Sequence, residues 1–178
     1  MENEKHFYPS IESKERLTRE YTVNFLSSFY PDAKKTEKTY DTAGLVGMLN
    51  TWWDKICTER GLSPKDKKVF NIGYHVIELG KNALEHAHGG EIKVIFEPDK
   101  ITVIVSDQGQ GFENYDDVEY STSSQYGHGL YGVRKYADDF SVETGGKKYV
   151  KEKGKKKLVD TGISDITTGS KITFIKKF

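Results

Sequence analysis

The longest periodic segment of the chain, residues 69–88, alternates apolar and polar residues with the period of an α-helix. Its apolar residues recur at steps of three and four positions: Val69, Ile72, Val76, Leu79, Ala83 and Ala87. Gly89-Gly90 follows, which is typical of the position just past a helix C-terminus. A helix start signal precedes this segment: Ser63 as N-cap, Pro64 at the first helical position and Asp66 in the first turn. The pattern predicts a long amphipathic helix.

Two earlier segments also have helical spacing. The first has apolar residues four positions apart and predicts a short helix: Leu17, Tyr21, Phe25 and Phe29. The second predicts a helix over about residues 43–60, with Asp41-Thr42 as its cap. Trp52 and Trp53 are adjacent in it and cannot both point fully inward, so we expect one at the margin of the core.

After residue 90 the pattern changes to that of β-strands. Residues 91–96 and 101–106 are β-rich runs separated by a Pro-Asp turn, which predicts an antiparallel pair. Residues 140–144 and 172–178 predict two later strands, and residues 133–140 a helical run. Between the later strands, residues 145–157 contain seven lysines. A solvated hairpin tip is the favoured interpretation of this insertion, and contact with an acidic partner or phosphate is the alternative.

Composition restricts the function further. Lysine plus arginine equals aspartate plus glutamate at 27 each, so no global affinity for nucleic acid or acidic membranes is expected. The single cysteine, Cys57, cannot form an internal disulfide, and a buried inert thiol is favoured over a reactive one. We find no secretion signal at the start of the sequence and no apolar run long enough to span a bilayer. A reducing cytoplasmic location is therefore expected.

Three polar motifs follow one another along the chain: Glu78-x3-Asn82, then Asp107-x-Gly109-x-Gly111, then Gly127-x-Gly129-Leu130-x-Gly132. Glu78 and Asn82 lie one helical turn apart and share a face, with His86 at its border. Each motif alone has an ordinary explanation: a solvated helix face, a turn, or a lone glycine-rich loop. The glycines do not follow the order of a Rossmann unit, and no P-loop pattern is present.

Together, these motifs resemble the N, G1 and G2 boxes of the GHKL, or Bergerat-fold, ATPases, the superfamily of gyrase, MutL and the sensor histidine kinases. The segment NALEHA, residues 82–87, is similar to the histidine kinase N box. Two later segments look more like the bacterial anti-sigma-factor and switch serine kinases: GHGLYGVRKYADDF, residues 127–140, and the ending GSKITFIKKF, residues 169–178. The resemblance covers about residues 42–178. We therefore expect an N-terminal extension over residues 1–40, partly helical, and an ATP-binding domain over residues 41–178.

The resemblance, with the predicted elements, implies an α/β (α+β) two-layer sandwich. Its sheet would be mixed but largely antiparallel, with helices on one face. ATP would lie between the long helix and a lid formed by residues 113–126. The extension could dock on the domain, mediate dimers or bind a partner, and the sequence does not choose among these.

The resemblance also implies roles for single residues. Asn82 would offer its amide oxygen to Mg²⁺, and Glu78 would orient or deprotonate the attacking water or protein serine. Asp107 would accept a hydrogen bond from the adenine amino group, with Gly109 and Gly111 letting the backbone pass close to the base.

Further positions would complete the nucleotide site. Gly127, Gly129 and Gly132 would free backbone N–H groups for the phosphates at a helix start, in a loop that also contains Leu130. His128 could meet phosphate or simply be exposed. Ser170 matches a hydroxyl position near adenine in the superfamily.

The implied function is an ATP- and Mg²⁺-dependent regulatory serine/threonine-protein kinase acting on a small partner protein, of the anti-sigma-antagonist or sigma-factor type. One alternative is a nucleotide-gated binding module without kinase activity. Another is the catalytic domain of a histidine kinase, which is disfavoured because His6 and His75 stand in the wrong contexts for a phosphoacceptor. The extension and the lysine-rich insertion depart from the family pattern, and a homodimer stays open.

Overall fold

A computed structural model describes residues 18–26, 42–112, 127–155 and 157–178. Within these ranges the helices are α1 (Ala43–Glu59), α2 (Lys67–Ala87) and α3 (Gly127–Tyr136). The strands are β1 (Arg19–Leu26), β2 (Gly89–Phe96), β3 (Lys100–Asp107), β4 (Asp139–Thr144), β5 (Lys147–Val150), β6 (Val159–Ile163) and β7 (Ser170–Lys177).

The described strands form one open sheet in the order β1-β2-β3-β7-β4-β5-β6, and each neighbouring pair is antiparallel. Alternate residues of the central strands are buried on one face. Helix α2 packs on β2 and β3, while α3 packs on β4 and β7. The predicted two-layer sandwich is confirmed, with antiparallel pairing throughout the described sheet.

The core lies between the helices and this face of the sheet. Sheet residues with period-two spacing meet helix residues with spacing of three and four, as the sequence pattern requires. The sheet contributes Ile92, Val94, Phe96, Ile101, Val103, Val105, Phe140, Val142, Ile172 and Phe174. The helices contribute Leu45, Leu49, Trp53, Ile56, Val69, Ile72, Val76, Leu79, Leu84, Leu130 and Val133.

Helix α2 begins and ends at different residues from those expected. Its N-cap is Asp66, not Ser63, because the Asp66 carboxylate accepts the N–H groups of Lys68 (2.9 Å) and Val69 (3.2 Å). At the other end, His88 takes the left-handed conformation with φ 61°. The glycine pair instead opens β2, where a Cβ on Gly90 would lie 2.5 Å from the Ser106 carbonyl oxygen.

The helix predicted over residues 17–29 is wrong for the part that is described. Residues 19–26 form β1, which pairs with β2 along its whole length. Because a spacing of four is even, Tyr21 and Phe25 share a face in a strand as well as in a helix, and Phe25 is buried in the core. These residues of the predicted extension therefore belong to the same sheet as the predicted domain.

Helix α1 matches its prediction to within one residue. Trp53 is buried and Trp52 is half-buried, as expected for adjacent tryptophans. The Thr42 side chain makes no capping hydrogen bond, and Asp41 lies outside the described residues. Cys57 is fully buried, and burial, with a smaller contribution from the charge of Asp54, raises the pKa of its thiol to about 12. Cys57 is therefore a buried, inert thiol.

The last part of the chain differs from expectation at α3. Helix α3 starts at Gly127, so the predicted glycine loop forms its first turns, and the residues after Tyr136 leave the helix for β4. The lysine-rich insertion forms a largely exposed hairpin, as expected, in which β5 pairs with β6 at the edge of the sheet. In it, the Lys151 ammonium donates to the carbonyl of Arg134 (3.0 Å) and to that of Ala137, so it caps the C-terminal end of α3.

Across the described ranges, no helix has both the length and the apolarity needed to cross a bilayer.

The contact between α1 and α2 yields a stability test. A Cβ on Gly73 would lie 2.7 Å from Cδ1 of the buried Trp53 indole, whereas a Cβ on Gly47 would meet nothing within 4 Å. In a helix, Gly→Ala contributes about 0.5–1 kcal/mol of stability by conformational preference, while overpacking a core costs about 1–3 kcal/mol. We expect Gly73→Ala to lower the free energy of unfolding in urea titrations and the control Gly47→Ala to raise it. Equal stabilisation by both would show that the indole moves freely.

Candidate active site

The polar face of α2 lies against the first turn of α3. A Cβ placed on Gly129 would be 3.2 Å from Asn82 Nδ2 and 4.0 Å from Glu78 Oε2. Glycine therefore lets α3 approach these two side chains closely. The first turn of an α-helix carries N–H groups without intrahelical partners, and its dipole favours anions. The structure thus brings an acid, an amide and a helix N-terminus together.

Glu78 is held by an ion pair on its own helix. Lys81 Nζ lies 3.1 Å from Glu78 Oε1, and both side chains are about one quarter exposed. Asn82 is half-buried beside them. Within the described ranges, no group of three or more His, Cys, Asp or Glu side chains could hold a metal ion. A divalent cation at this place would need oxygens from a ligand in addition to those of the protein.

Asp107, the last residue of β3, is fixed by three hydrogen bonds. Its Oδ1 accepts the N–H groups of Gly109 (2.9 Å) and Ser170 (3.2 Å), and its Oδ2 accepts the Ser170 hydroxyl. Asp107 and Ser170 stand opposite each other in the pairing of β3 with β7. The structure therefore places Ser170, predicted to lie near adenine, directly beside Asp107.

The two glycines after Asp107 occupy positions with little space. A Cβ on Gly109 would lie 2.8 Å from the Ala87 Cβ at the end of α2. Gly111 has φ 74°, and a Cβ there would lie 2.6 Å from the Gly169 carbonyl oxygen. Larger side chains would push this segment away from α2 and β7, so close backbone approach explains both glycines.

A small cavity links these groups. It is about 50 Å³ in volume and is lined by Leu79, Asn82, Ala83, His86, Val105, Asp107, Phe112, Leu130, Ser170 and Ile172. Residues of all three motifs therefore face one space. Ligand pockets usually measure about 300–1,000 Å³, so this cavity would have to enlarge to hold a nucleotide.

The structure describes only some of the remaining predicted site residues. Gly127 and His128 begin α3, but the His128 side chain and the predicted lid, residues 113–126, lie outside what the structure describes. Gly132 faces α2, because a Cβ there would lie 3.7 Å from His75 Cε1. A larger groove of about 810 Å³ lies between α1 and α2. Among the predicted site residues only Glu78 lines the described part of this groove, next to Lys81.

Sequence reasoning missed Thr144, the last residue of β4. Its hydroxyl accepts the Phe112 N–H (2.8 Å) and donates to the Gly169 carbonyl (3.1 Å). The signal was present in the sequence, since Thr144 continues the buried alternation of Phe140 and Val142. A hydroxyl residue at a core-facing position needs a hydrogen-bond partner, which points to a local structural role.

His75 lies one turn before Glu78, in a ring cluster under α3. Its ring centroid is 4.9 Å from that of Tyr136 and 6.4 Å from that of Phe174. His75 Nδ1 is buried without a hydrogen-bond partner among the described residues. Burial lowers the pKa of His75, and the negative charge of Glu78 offsets part of this effect.

This burial predicts a pH dependence of stability. An imidazole has an ordinary pKa of 6.5, and the folded value is lower, so the unfolded chain binds more protons between the two values. The contribution of His75 is fully present above pH 6.5 and is lost as the pH falls towards the folded pKa. We expect the free energy of unfolding to fall over this range in denaturant titrations. The fall should be smaller in His75→Phe, and an unchanged slope would contradict the assignment to His75.

Comparison with known protein families identifies the family of the chain. No curated protein matches the chain. The family model of the histidine kinase-, DNA gyrase B- and HSP90-like ATPases matches residues 71–177, which is more than half of the chain. The match begins within α2 and ends with β7, so it includes Glu78, Asn82, Asp107, the first turn of α3 and Ser170. The chain therefore belongs to the histidine kinase-, DNA gyrase B- and HSP90-like ATPases, also called the GHKL ATPases.

Proposed function

We propose that the protein binds Mg·ATP in the cavity beside α2 and transfers the terminal phosphoryl group to a serine or threonine of a small regulatory partner protein. The observation that carries this proposal is the contact between Gly129 and the pair Glu78–Asn82, with Asp107 at the same cavity. The cavity would therefore have a phosphate-binding end at α3 and a base-binding end at Asp107.

The phosphate end is the first turn of α3. Its N–H groups, from Gly127 onwards, would bind phosphate oxygens, because the first turn of a helix has N–H groups without intrahelical partners. Gly129 and Gly132 let this helix approach α2 closely. Leu130 would contact the nucleotide from the same helix, since it lines the cavity. His128 would contact phosphate by its position in the same turn.

The base end is Asp107. Its carboxylate would accept a hydrogen bond from the adenine amino group, and guanine has an acceptor at the matching place, so the acid would select adenine. The bonds from Gly109 and Ser170 hold the carboxylate in a fixed orientation. Ser170, Gly109 and Gly111 would form the surface against the ring.

The residues present fit a magnesium ion shared with phosphates. Mg²⁺ is commonly held by one or two protein oxygens, with water and substrate phosphates completing the shell. Asn82, whose side-chain amide lies beside the first turn of α3, would supply one such oxygen. The ion would neutralise charge on the phosphoryl group during transfer.

Glu78 would orient the attacking hydroxyl and accept its proton. It faces α3 on one side and lines the groove between α1 and α2 on the other. A second reactant could therefore reach it without passing through the nucleotide cavity. The likeness of residues 127–140 and 169–178 to the anti-sigma-factor kinases supports a partner of that type. Non-catalytic nucleotide gating and histidine phosphotransfer are the competing assignments.

The role of Asn82 is tested by calorimetry. We expect Asn82→Ala to abolish Mg·ATP binding at concentrations that saturate the unsubstituted protein, because the cation loses its protein oxygen. Asn71→Ala, three turns earlier on the same helix, is the matched control and should bind normally. Near-normal affinity of Asn82→Ala would remove Asn82 from the metal site.

Phosphoryl transfer is tested with γ-labelled ATP and candidate partner proteins. Label should appear on partner serine or threonine, and Glu78→Gln should slow its appearance by at least about 100-fold while nucleotide binding persists. Glu85→Gln on the same helix serves as the control. Binding without any protein-bound label would favour the gated binding module. Acid-labile label would favour histidine phosphotransfer.

A further inference from the structure

We propose that Thr144 is a positioning residue for nucleotide binding, acting through the segment that begins at Asp107. The proposal rests on the proposed function, in that Asp107 is taken as the base-binding acid. The segment, residues 107–112, is called the base-side loop. Thr144 would hold this loop and the turn at Gly169 at a fixed separation, and thereby set the shape of the cavity between them.

The hydroxyl of Thr144 connects two backbone segments that are distant in sequence. It accepts the N–H of Phe112, the last residue of the base-side loop, at 2.8 Å. It donates to the carbonyl of Gly169 at 3.1 Å. Thr144 is 1% exposed, so water cannot replace either bond.

Close packing around this hydroxyl leaves few other arrangements. A Cβ on Gly111 would collide with Thr144 Oγ1, and a Cβ on Gly169 would collide with the Asp107 carbonyl oxygen. Both glycines have φ values near 70°, at 74° and 72°. The base-side loop, the turn at Gly169 and Thr144 therefore touch one another directly, and the hydroxyl is the polar group that bonds to both segments.

Strand register extends this connection to the base-binding acid. Thr144 stands opposite Ser170 in the pairing of β4 with β7, and Ser170 stands opposite Asp107 in the pairing of β7 with β3. These three residues form a polar row across three strands. Displacing Gly169 would displace Ser170, whose N–H and hydroxyl both bind the Asp107 carboxylate. Thr144 thus acts on Asp107 from two sides, through Phe112 and through Ser170.

The choice of substitution follows from this geometry. Thr144→Val keeps the shape of the side chain but leaves the Phe112 N–H and the Gly169 carbonyl without their partner. Thr144→Ser keeps the hydroxyl and should restore both bonds. Thr102→Val makes the same change at the opposite end of the sheet, where Thr102 pairs with Ile95 and Ile175, and serves as the control.

We expect Thr144→Val to bind Mg·ATP about tenfold more weakly by calorimetry, equivalent to about 1.4 kcal/mol. The affinity for Mg·ADP should fall by the same factor, because Thr144 acts on the base end and not on the phosphate end. Thr144→Ser and Thr102→Val should bind like the unsubstituted protein. A loss confined to ATP, or a loss that Thr144→Ser shares, would overturn the proposal.

Hydrogen–deuterium exchange without nucleotide provides the second measurement. The Phe112 amide should exchange faster in Thr144→Val than in the unsubstituted protein or Thr144→Ser, and unchanged protection would refute the connection. If the unsubstituted protein binds no adenine nucleotide, the proposed function fails, while the exchange result still decides whether Thr144 holds the loop. Faster exchange with unchanged ATP affinity would leave Thr144 a purely structural residue and overturn the positioning role.

Discussion

The site depends on a row of polar side chains at one end of the core face of the sheet. Asp107, Ser170 and Thr144 lie side by side on β3, β7 and β4, next to the apolar row of Val105, Ile172 and Val142. The apolar residues hold the sheet against the helices, whereas the polar row bonds to backbone groups of the adjoining loops. The cavity spans the boundary between these rows, because Val105 and Ile172 line it together with Asp107 and Ser170.

Helix α2 serves both sides of this boundary. Its apolar stripe, which includes Ile72, Val76 and Leu79, is buried in the core, and its polar face presents Glu78 and Asn82 to α3. Because one rigid helix carries both faces, the packing that stabilises the fold also sets the position of the acid and the amide. The cavity is then closed by α3 and by the base-side loop.

Much of this arrangement could be predicted from the sequence. The period of α2 and the alternation in β2 and β3 are strong local signals, and the order of the three motifs along the chain indicates the family. Strand β1 was misassigned because a spacing of four fits both a helix and a strand, and pairing with β2 decides between them. The start of α3 was misplaced because glycine has low helix propensity, and tertiary contact with α2 overrides it. Thr144 was missed because its partners, Phe112 and Gly169, are distant in sequence, at separations of 32 and 25 residues.

The lysine-rich insertion has a structural consequence that follows from Lys151. Its ammonium satisfies two backbone carbonyls at the C-terminal end of α3, the helix whose opposite end meets Asn82. The lysine-rich insertion therefore stabilises the C-terminal end of α3. Replacing the insertion by a tight turn would leave the carbonyls of Arg134 and Ala137 without this donor. The C-terminal end of α3 would then be destabilised. A variant with a shortened insertion would need another cationic side chain within hydrogen-bond distance of these two carbonyls.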